Sequence, residues 1–265
     1  MTMKGRVLIV AGSDSGGGAG IQADIKAVTA MGGFAATAIT ALTAQNTQGV
    51  HGVVPVEPAF IAQQIEVVLT DIGADALKTG MLHSAEVIDA VVAALKKHAP
   101  GAPLVVDPVM VAKGGHRLLL NEAETALRDR LLPMAALLTP NLPEAEVLAG
   151  FPVRVEADMK RAADKLLALG AKAVLMKGGH LEGDRVIDLL VHDGKVERFE
   201  EARIQSRSTH GTGCTLASAI AAGLAQKMSL RDAVTRARAY VREAIASAPG
   251  YGRGHGPLNH AVTVR

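Results

Sequence analysis

At 265 residues, 49% of them hydrophobic, the chain can bury a large core in one α/β domain or two small ones. Lys and Arg (28) nearly balance Asp and Glu (26); with a net charge of +2, no basic run and no Trp, a nucleic-acid surface built on charge or ring stacking is excluded. The lone Cys214 excludes an internal disulfide framework and a multi-cysteine zinc site, and no apolar run has the length or flanks of a membrane span or signal peptide, so the expected location is the cytoplasm.

Short β-like runs alternate with helical patterns from the N-terminus onward. RVLIVAG (6–12) reads as a buried strand, followed by AGSDSGGGAG (11–20) and a helix with Ile21, Ile25 and Val28 at helical spacing. FAATAITALTA (34–44) reads as one further extended segment. PAFIAQQIEVVLTDIG (58–73) places Ile61, Ile65, Val68 and Leu69 on one helix face. ADALKTGM (74–81) is a strand, and SAEVIDAVVAALKK (84–97) a helix that Ser84 can cap and lysines close. PLVVDPVM (103–110) opens as a strand, and ALLTPN (136–141) is a strand that ends at a proline. Met159, Ala163, Leu166 and Leu167 mark a helix that stops at Gly170, and KAVLMKGG (172–179) is a strand. VIDLLVHDGKVERF (186–199) has the form of a hairpin turning at Asp193-Gly194. Two helices close the chain, one starting near Thr212 and one near Ser229, where Ser229 and Asp232 form a capping-box-like pair. This alternation predicts a mostly parallel sheet covered on both faces, in one domain, with ligands at the carboxyl ends of the strands.

Seven polar, glycine-rich or proline-rich loops, nearly all at predicted strand ends, recur along the chain: AGSDSGGGAG, TAQNTQG, KTGMLHS, DPVMVAKGG, TPNLPEAE, MKGGH and STHGTGCT. Seven together point to an active site. The first has neither the GxxxxGK of a Walker loop nor a GxGxxG, since Ile21 stands where the third glycine would be. Two readings stay open for it: a tight strand-to-helix turn, or a loop that lets another group approach the backbone closely. In HGTGCTLASAIAAGLA, Gly211 and Gly213 precede Leu216, Ile220 and Leu224 at helical spacing, so free N–H groups at a helix start would face an anion. Cys214 would lie in the first turn, where the helix start favours thiolate; the alternative is a small buried cysteine.

Asp107 directly after PLVV can hold Mg²⁺ or its waters, or can be a turn residue before Pro108. Glu144, after Pro143, can be a first-turn acid suited to the helix dipole, or the second acid of a Mg-phosphate site. Lys177 after AVLM can reach a phosphate or stay solvated. Gln45, beside Asn46, offers the donor and acceptor that suit an aminopyrimidine edge, although loop amides often only hold turns. The nine histidines show no HExxH spacing and read as surface or structural residues.

The combination of HGTGCT with DPVM and AGSDSGGGAGIQADIK, and with TALTAQNTQGV, KTGML, LTPNLPEAEVL and GHGPLNH, spans nearly the whole chain. In these motifs it resembles the bacterial hydroxymethylpyrimidine/phosphomethylpyrimidine kinases of thiamine biosynthesis. The resemblance implies the ribokinase-like three-layer α/β/α fold with a mostly parallel central sheet flanked by helices, and a homodimer. It implies phosphorylation of 4-amino-5-hydroxymethyl-2-methylpyrimidine with ATP and Mg²⁺, then of the resulting monophosphate. Cys214 matches the catalytic base, with Gly211, Thr212 and Gly213 as the anion hole. Gln45 matches the pyrimidine-binding glutamine; Asp24 and Met81 match positions near the ring, joined on the acceptor side by Gly12, Gly18, Ala19 and Val109. Lys177, Asn141, Glu144 and Thr139 would serve ATP and its phosphates, and Asp107 and Glu144 the metal. At Gly114-Gly115 the loop after DPVM differs slightly from the family form. A pyridoxal or pyridoxine kinase of the same fold is the nearest rival, and a non-catalytic pyrimidine-binding protein a more distant one. Neither nucleic acid nor membrane is an expected partner.

Overall fold

A computed structural model of the chain describes residues 3–111, 115 and 118–263. Its main sheet begins with β1 (Arg6–Ala11), whose side chains alternate between two cores because successive residues of a strand point to opposite faces. Leu8 and Val10 join one apolar cluster, while Val7, Ile9 and Ala11 join the other. The other strands of this sheet are β2 (Phe34–Ile39), β5 (Ala76–Thr79), β6 (Leu104–Val106), β7 (Leu137–Leu138), β8 (Ala173–Lys177), β9 (Arg185–His192) and β10 (Lys195–Ala202). They lie in the order β10-β9-β8-β7-β6-β5-β1-β2. Pairing is parallel from β2 to β8, and antiparallel from β8 to β9 and from β9 to β10. Asp193 and Gly194, both at positive φ, make the predicted two-residue turn between the last two strands.

The first core lies against α2 (Pro58–Asp71), α3 (Ala85–His98), α4 (Asn121–Ala126), α5 (Leu142–Ala149) and α6 (Glu156–Ala168). The second lies against α1 (Gly20–Ala30), α7 (Thr212–Ala225) and α8 (Leu230–Ala246). The result is the expected three-layer α/β/α arrangement. Caps set several helix starts: Ser84 accepts a hydrogen bond from the Val87 N–H, and Ser229 one from the Asp232 N–H.

Three expectations need correction. The segment 34–44 is two strands rather than one: β2 stays in the main sheet, and after Thr40 the chain leaves it as β3 (Ala41–Asn46), paired antiparallel with β4 (Gly49–Pro55) in a separate two-stranded sheet. Gln45 and Asn46 therefore sit on a strand, not in a loop. On α1, Ile25 is exposed and Asp24 takes the inward position between Ile21 and Val28.

Candidate active site

A cleft of about 820 Å³ opens at the carboxyl ends of β1, β5, β6 and β8, and every one of the seven loops contributes to its wall. Residues 112–114 of DPVMVAKGG, and with them Gly114, lie outside the described residues.

At the centre of the cleft three loops meet. Asp107, the first residue past β6, is buried and receives a hydrogen bond from Lys177 Nζ at 2.9 Å. Glu144 Oε2 lies 4.0 Å from the same ammonium. Glu144 is placed by a capping box: Asn141 Oδ1 accepts from the Glu144 N–H (2.9 Å), and Glu144 Oε2 accepts from the Asn141 N–H (2.8 Å). The capping reading of Glu144 therefore holds, and the same carboxylate also faces Lys177. Burial pushes the Glu144 carboxyl up to about 7, helped by Asp107 and opposed by Lys177 and Asn141. Burial pulls Lys177 down, but Asp107 and Glu144 outweigh it and hold the ammonium above its ordinary value. Gly213, in the first turn of α7, closes the group: a Cβ built on it would lie 3.2 Å from Lys177 Nζ and 3.5 Å from an Asp107 carboxylate oxygen. The start of α7 thus faces the acid–lysine cluster directly. Its first N–H groups have no partner within the helix, and the helix dipole adds positive potential there. Gly211 precedes it at φ +79.

Cys214 lines the cleft one residue further on. The helix-start argument favours a thiolate, but the outcome is the reverse. Burial pushes the thiol up to about 12, and Asp24 and Asp107 act in the same direction; Lys78 and a hydrogen bond from Gly20 oppose it without prevailing. At neutral pH the resting group is a thiol.

Gly12, Ala19, Gln45, Met81 and Val109, the residues matched to the acceptor side, all line the cleft. The Met81 thioether lies against Gly12, where an added Cβ would meet Sδ at 3.3 Å. The soft Met side chain supplies here the apolar surface that the chain's few aromatics do not.

Three residues matched to the site stand behind it instead. Asp24 does not line the cleft. It is fully buried, with both carboxylate oxygens 2.9 Å from Lys78 Nζ and Oδ1 accepting from Ser218 Oγ at 2.7 Å. Burial raises its carboxyl and Lys78 opposes this, while Asp24 helps to hold the Lys78 ammonium above its ordinary value against the same desolvation. Gly18 also stays out of the cleft, for reasons of packing: a Cβ there would strike His210 Cδ2 at 2.7 Å. Thr139 is buried and donates to Asp107 Oδ1 at 3.2 Å, so it orients the carboxylate from behind.

Cleft residues that sequence reasoning missed include Asp14, Lys78 and His210. Asp14 explains the first glycine loop. Its carboxylate accepts from the N–H groups of Gly16 (2.8 Å), Gly18 (3.0 Å) and Ala19 (2.8 Å), and faces His210 Nε2 at 2.9 Å. Three of the loop's donors are already taken by an acid of its own. Val186, Ile204, Val241 and Ile245 add an apolar wall to the cleft, interspersed with Arg203, Arg238 and Arg242; the hairpin and helix periodicities that place Val186, Val241 and Ile245 carry no signal of a ligand.

Among known proteins, the family model described as Phosphomethylpyrimidine kinase matches residues 14–259. The chain is 53% identical, over 98% of its length, to the thiamine biosynthesis bifunctional protein ThiED of Geobacter sulfurreducens, and spans 53% of that relative. It is 49% identical to the hydroxymethylpyrimidine/phosphomethylpyrimidine kinase of Streptomyces coelicolor, covering 96% of this chain and 93% of that protein. Among solved structures, the pyridoxal kinase of Staphylococcus aureus in complex with AMP-PCP and pyridoxal superposes with a TM-score of 0.91 at 34% identity, over 100% of this chain and 96% of that one.

Proposed function

Because the chain belongs to the phosphomethylpyrimidine kinase family, we propose that it uses ATP to phosphorylate the hydroxymethyl group of 4-amino-5-hydroxymethyl-2-methylpyrimidine, and then the monophosphate to the diphosphate. One observation carries this reading: a single cleft joins an acceptor end built on Gln45 and Met81 to a phosphate centre built on Lys177, Asp107 and the start of α7.

In this reading the ring lies between Met81 and the Gln45 amide, with the hydroxymethyl group toward Cys214. Gly211, Thr212 and Gly213 present backbone donors to the transferred phosphoryl group, which is electrostatic stabilisation by groups already in place. Lys177 neutralises phosphate charge, Asn141 holds Glu144 toward it, and the apolar wall of Ile204, Val241 and Ile245 receives adenine. Asp107 and Glu144 supply hard oxygen donors, and among the described residues no group of three His, Cys, Asp or Glu forms a metal cage. That donor set fits Mg²⁺, which is commonly held by one or two carboxylates together with phosphate oxygens. When bound, Mg²⁺ would neutralise charge on the ATP phosphates. Cys214 accepts the hydroxymethyl proton in the first transfer; the thiolate that Lys78 and the Gly20 N–H favour is the form able to do so. The second acceptor is an ionised phosphate and needs little such help.

The enzyme acts in the cytoplasm as a homodimer with one domain per chain. Leu42 and Val54, paired across the β3–β4 sheet and exposed, offer apolar surface for the second copy. Among the described residues no helix is long and apolar enough to cross a membrane.

The superposition with a pyridoxal kinase favours a second reading on the same cleft, but at 34% identity against 49% for the pyrimidine kinase. Assays with ATP, Mg²⁺ and each acceptor separate them. Pyrimidine turnover is expected, and pyridoxal turnover without it would overturn the proposal.

A further inference from the structure

The Gln45 amide has a polar neighbour at each end. His210 Nε2 lies 3.1 Å from one amide atom, and Thr43 Oγ1 lies 3.4 Å from the other. Oxygen and nitrogen of such an amide are assigned from their partners, so the network decides its orientation.

At the first end, His210 Nε2 is also 2.9 Å from Asp14 Oδ2. Burial pushes the Asp14 carboxyl up, but His210 and the N–H groups of Ala19 and Gly16 bring it below its ordinary value, so it is ionised and can only accept. The Nε2 hydrogen must therefore be present and shared toward Asp14. A protonated Nε2 has no lone pair for an amide N–H, so the Gln45 atom beside it is the oxygen. At the second end, Thr43 uses its one hydroxyl hydrogen on the Ser13 carbonyl at 2.8 Å. Thr43 Oγ1 can then only accept, so the Gln45 atom beside it is the NH₂ group. Both ends demand the same orientation.

The imidazole is itself fixed. Gly18 packs on its Cδ2 edge, leaving no room for a Cβ, and the backbone N–H of His210 donates to the Gly256 carbonyl at 3.1 Å, fixing the main chain that carries the ring. The GHGP segment near the C-terminus thereby holds the histidine that holds the glutamine.

We propose that Asp14 and His210 form a positioning pair that locks the Gln45 amide in one orientation, and so determines which way round an aminopyrimidine ring lies and which rings are accepted. Once Oε1 faces His210 and Nε2 faces Thr43, one N–H and one oxygen lone pair remain side by side. They match a ring nitrogen next to an exocyclic amino group. A freely flipping amide would present the reverse pair half of the time and would accept a ring turned over. The locked amide leaves a buried polar group unpaired against a ring without the amino group, the arrangement that discriminates most strongly.

This inference rests on the pyrimidine kinase reading, and the experiment separates the two. Steady-state kinetics of the full chain are measured with 4-amino-5-hydroxymethyl-2-methylpyrimidine and with the analogue lacking the 4-amino group. His210→Ala is expected to raise the KM for the amino substrate by about 10–100-fold, the loss of one to two buried hydrogen bonds, with the KM for ATP unchanged. For the analogue its effect should shrink to a small factor. Gln45→Ala should show the same pattern, and the double variant should be no worse than either alone, as coupled residues require. His210→Gln, which can restore a donor near Nε2, should recover most of the discrimination and guards against an alanine variant that folds poorly. Equal losses on both acceptors, or additive losses in the double variant, would overturn the positioning role while wild-type turnover left the functional reading standing. A wild-type chain that phosphorylates neither pyrimidine would overturn both.

Discussion

The starts of α1 and α7 lie side by side on one face of the sheet, each approached through glycines, and they treat their backbone donors in opposite ways. In the loop before α1 the N–H groups of Gly16, Gly18 and Ala19 converge on the Asp14 carboxylate, a short acidic side chain from the same loop. Before α7 the loop carries no acid, and Gly213 faces Lys177 and Asp107 across the cleft. The first loop has enclosed its own anion; the second is open to one from outside. The difference lies not in glycine content but in whether a carboxylate stands within reach of the turn. The two loops also depend on each other, because a Cβ on Gly211 would lie 1.8 Å from the Gly18 carbonyl oxygen. The closed loop is the surface on which the open one is shaped.

The most severe break of the open side is Cys214→Ala. It is expected to slow the first phosphorylation by roughly 10²–10⁴-fold, the range for loss of a general base, and the second much less. Single-turnover assays with each acceptor measure both. Because burial holds the thiol up at about 12, the working thiolate is scarce at neutral pH and grows as pH rises. In wild type, kcat/KM for the first step should therefore climb by about tenfold per pH unit through neutrality, a slope that Cys214→Ala removes and the second step lacks. Equal losses in both steps would mean that Cys214 only positions the acceptor.

Gly211→Ala tests the contact between the loops. The new Cβ must be accommodated at φ +79 and against the Gly18 carbonyl. Left-handed backbone and overpacking together are expected to cost about 2–5 kcal/mol. Thermal unfolding should show the loss, with both phosphorylations impaired because the donors of α7 shift together. An unchanged Tm would mean that the two loops do not support one another.

Most of this architecture was legible in the sequence, and the exceptions share a cause. Strand and helix periodicities identified the main sheet and, among the described residues, six of the eight α-helices because each element packs one apolar face on a long core. They missed β4, whose GVHGVVP buries no residue fully and so shows no alternation. The cluster of Asp107, Glu144, Lys177 and Gly213 was legible because each stands at the end of a strand or the start of a helix. Asp24 was misplaced because a carboxylate one turn into α1 has no local mark of burial; Lys78, 54 residues later on β5, reaches under it and draws it inward. Nothing in the sequence marks His210 out among the nine histidines, because its partner Asp14 is 196 residues away. Neighbours that only the fold brings together leave no spacing to read.

Acid should separate the two loops more gently than mutation does. His260, from the C-terminal segment, braces α7 one residue past Cys214: its Nε2 lies 2.9 Å from Thr215 Oγ1, its carbonyl accepts from Tyr240 Oη, and it bonds the Leu258 backbone. Burial pulls this imidazole down to about 4, assisted by Lys26 and opposed by Leu258, so the folded chain keeps it neutral. An unfolded chain takes up the proton near pH 6.5. Between those values the unfolded state binds more protons than the folded one, so this contribution is complete above 6.5 and is lost as pH falls toward 4. Asp14 behaves differently: its carboxyl lies below its ordinary 3.8, and its contribution persists until the medium is more acidic still. Between pH 6.5 and 4 the folded chain therefore keeps the neutral brace behind the open loop at a growing cost in stability, while the Asp14 carboxylate of the closed loop adds no such cost. Unfolding followed across that interval should show wild type losing stability more steeply than His260→Gln, which carries no proton-dependent brace. Parallel curves for the two proteins would show that His260 does not couple the start of α7 to pH.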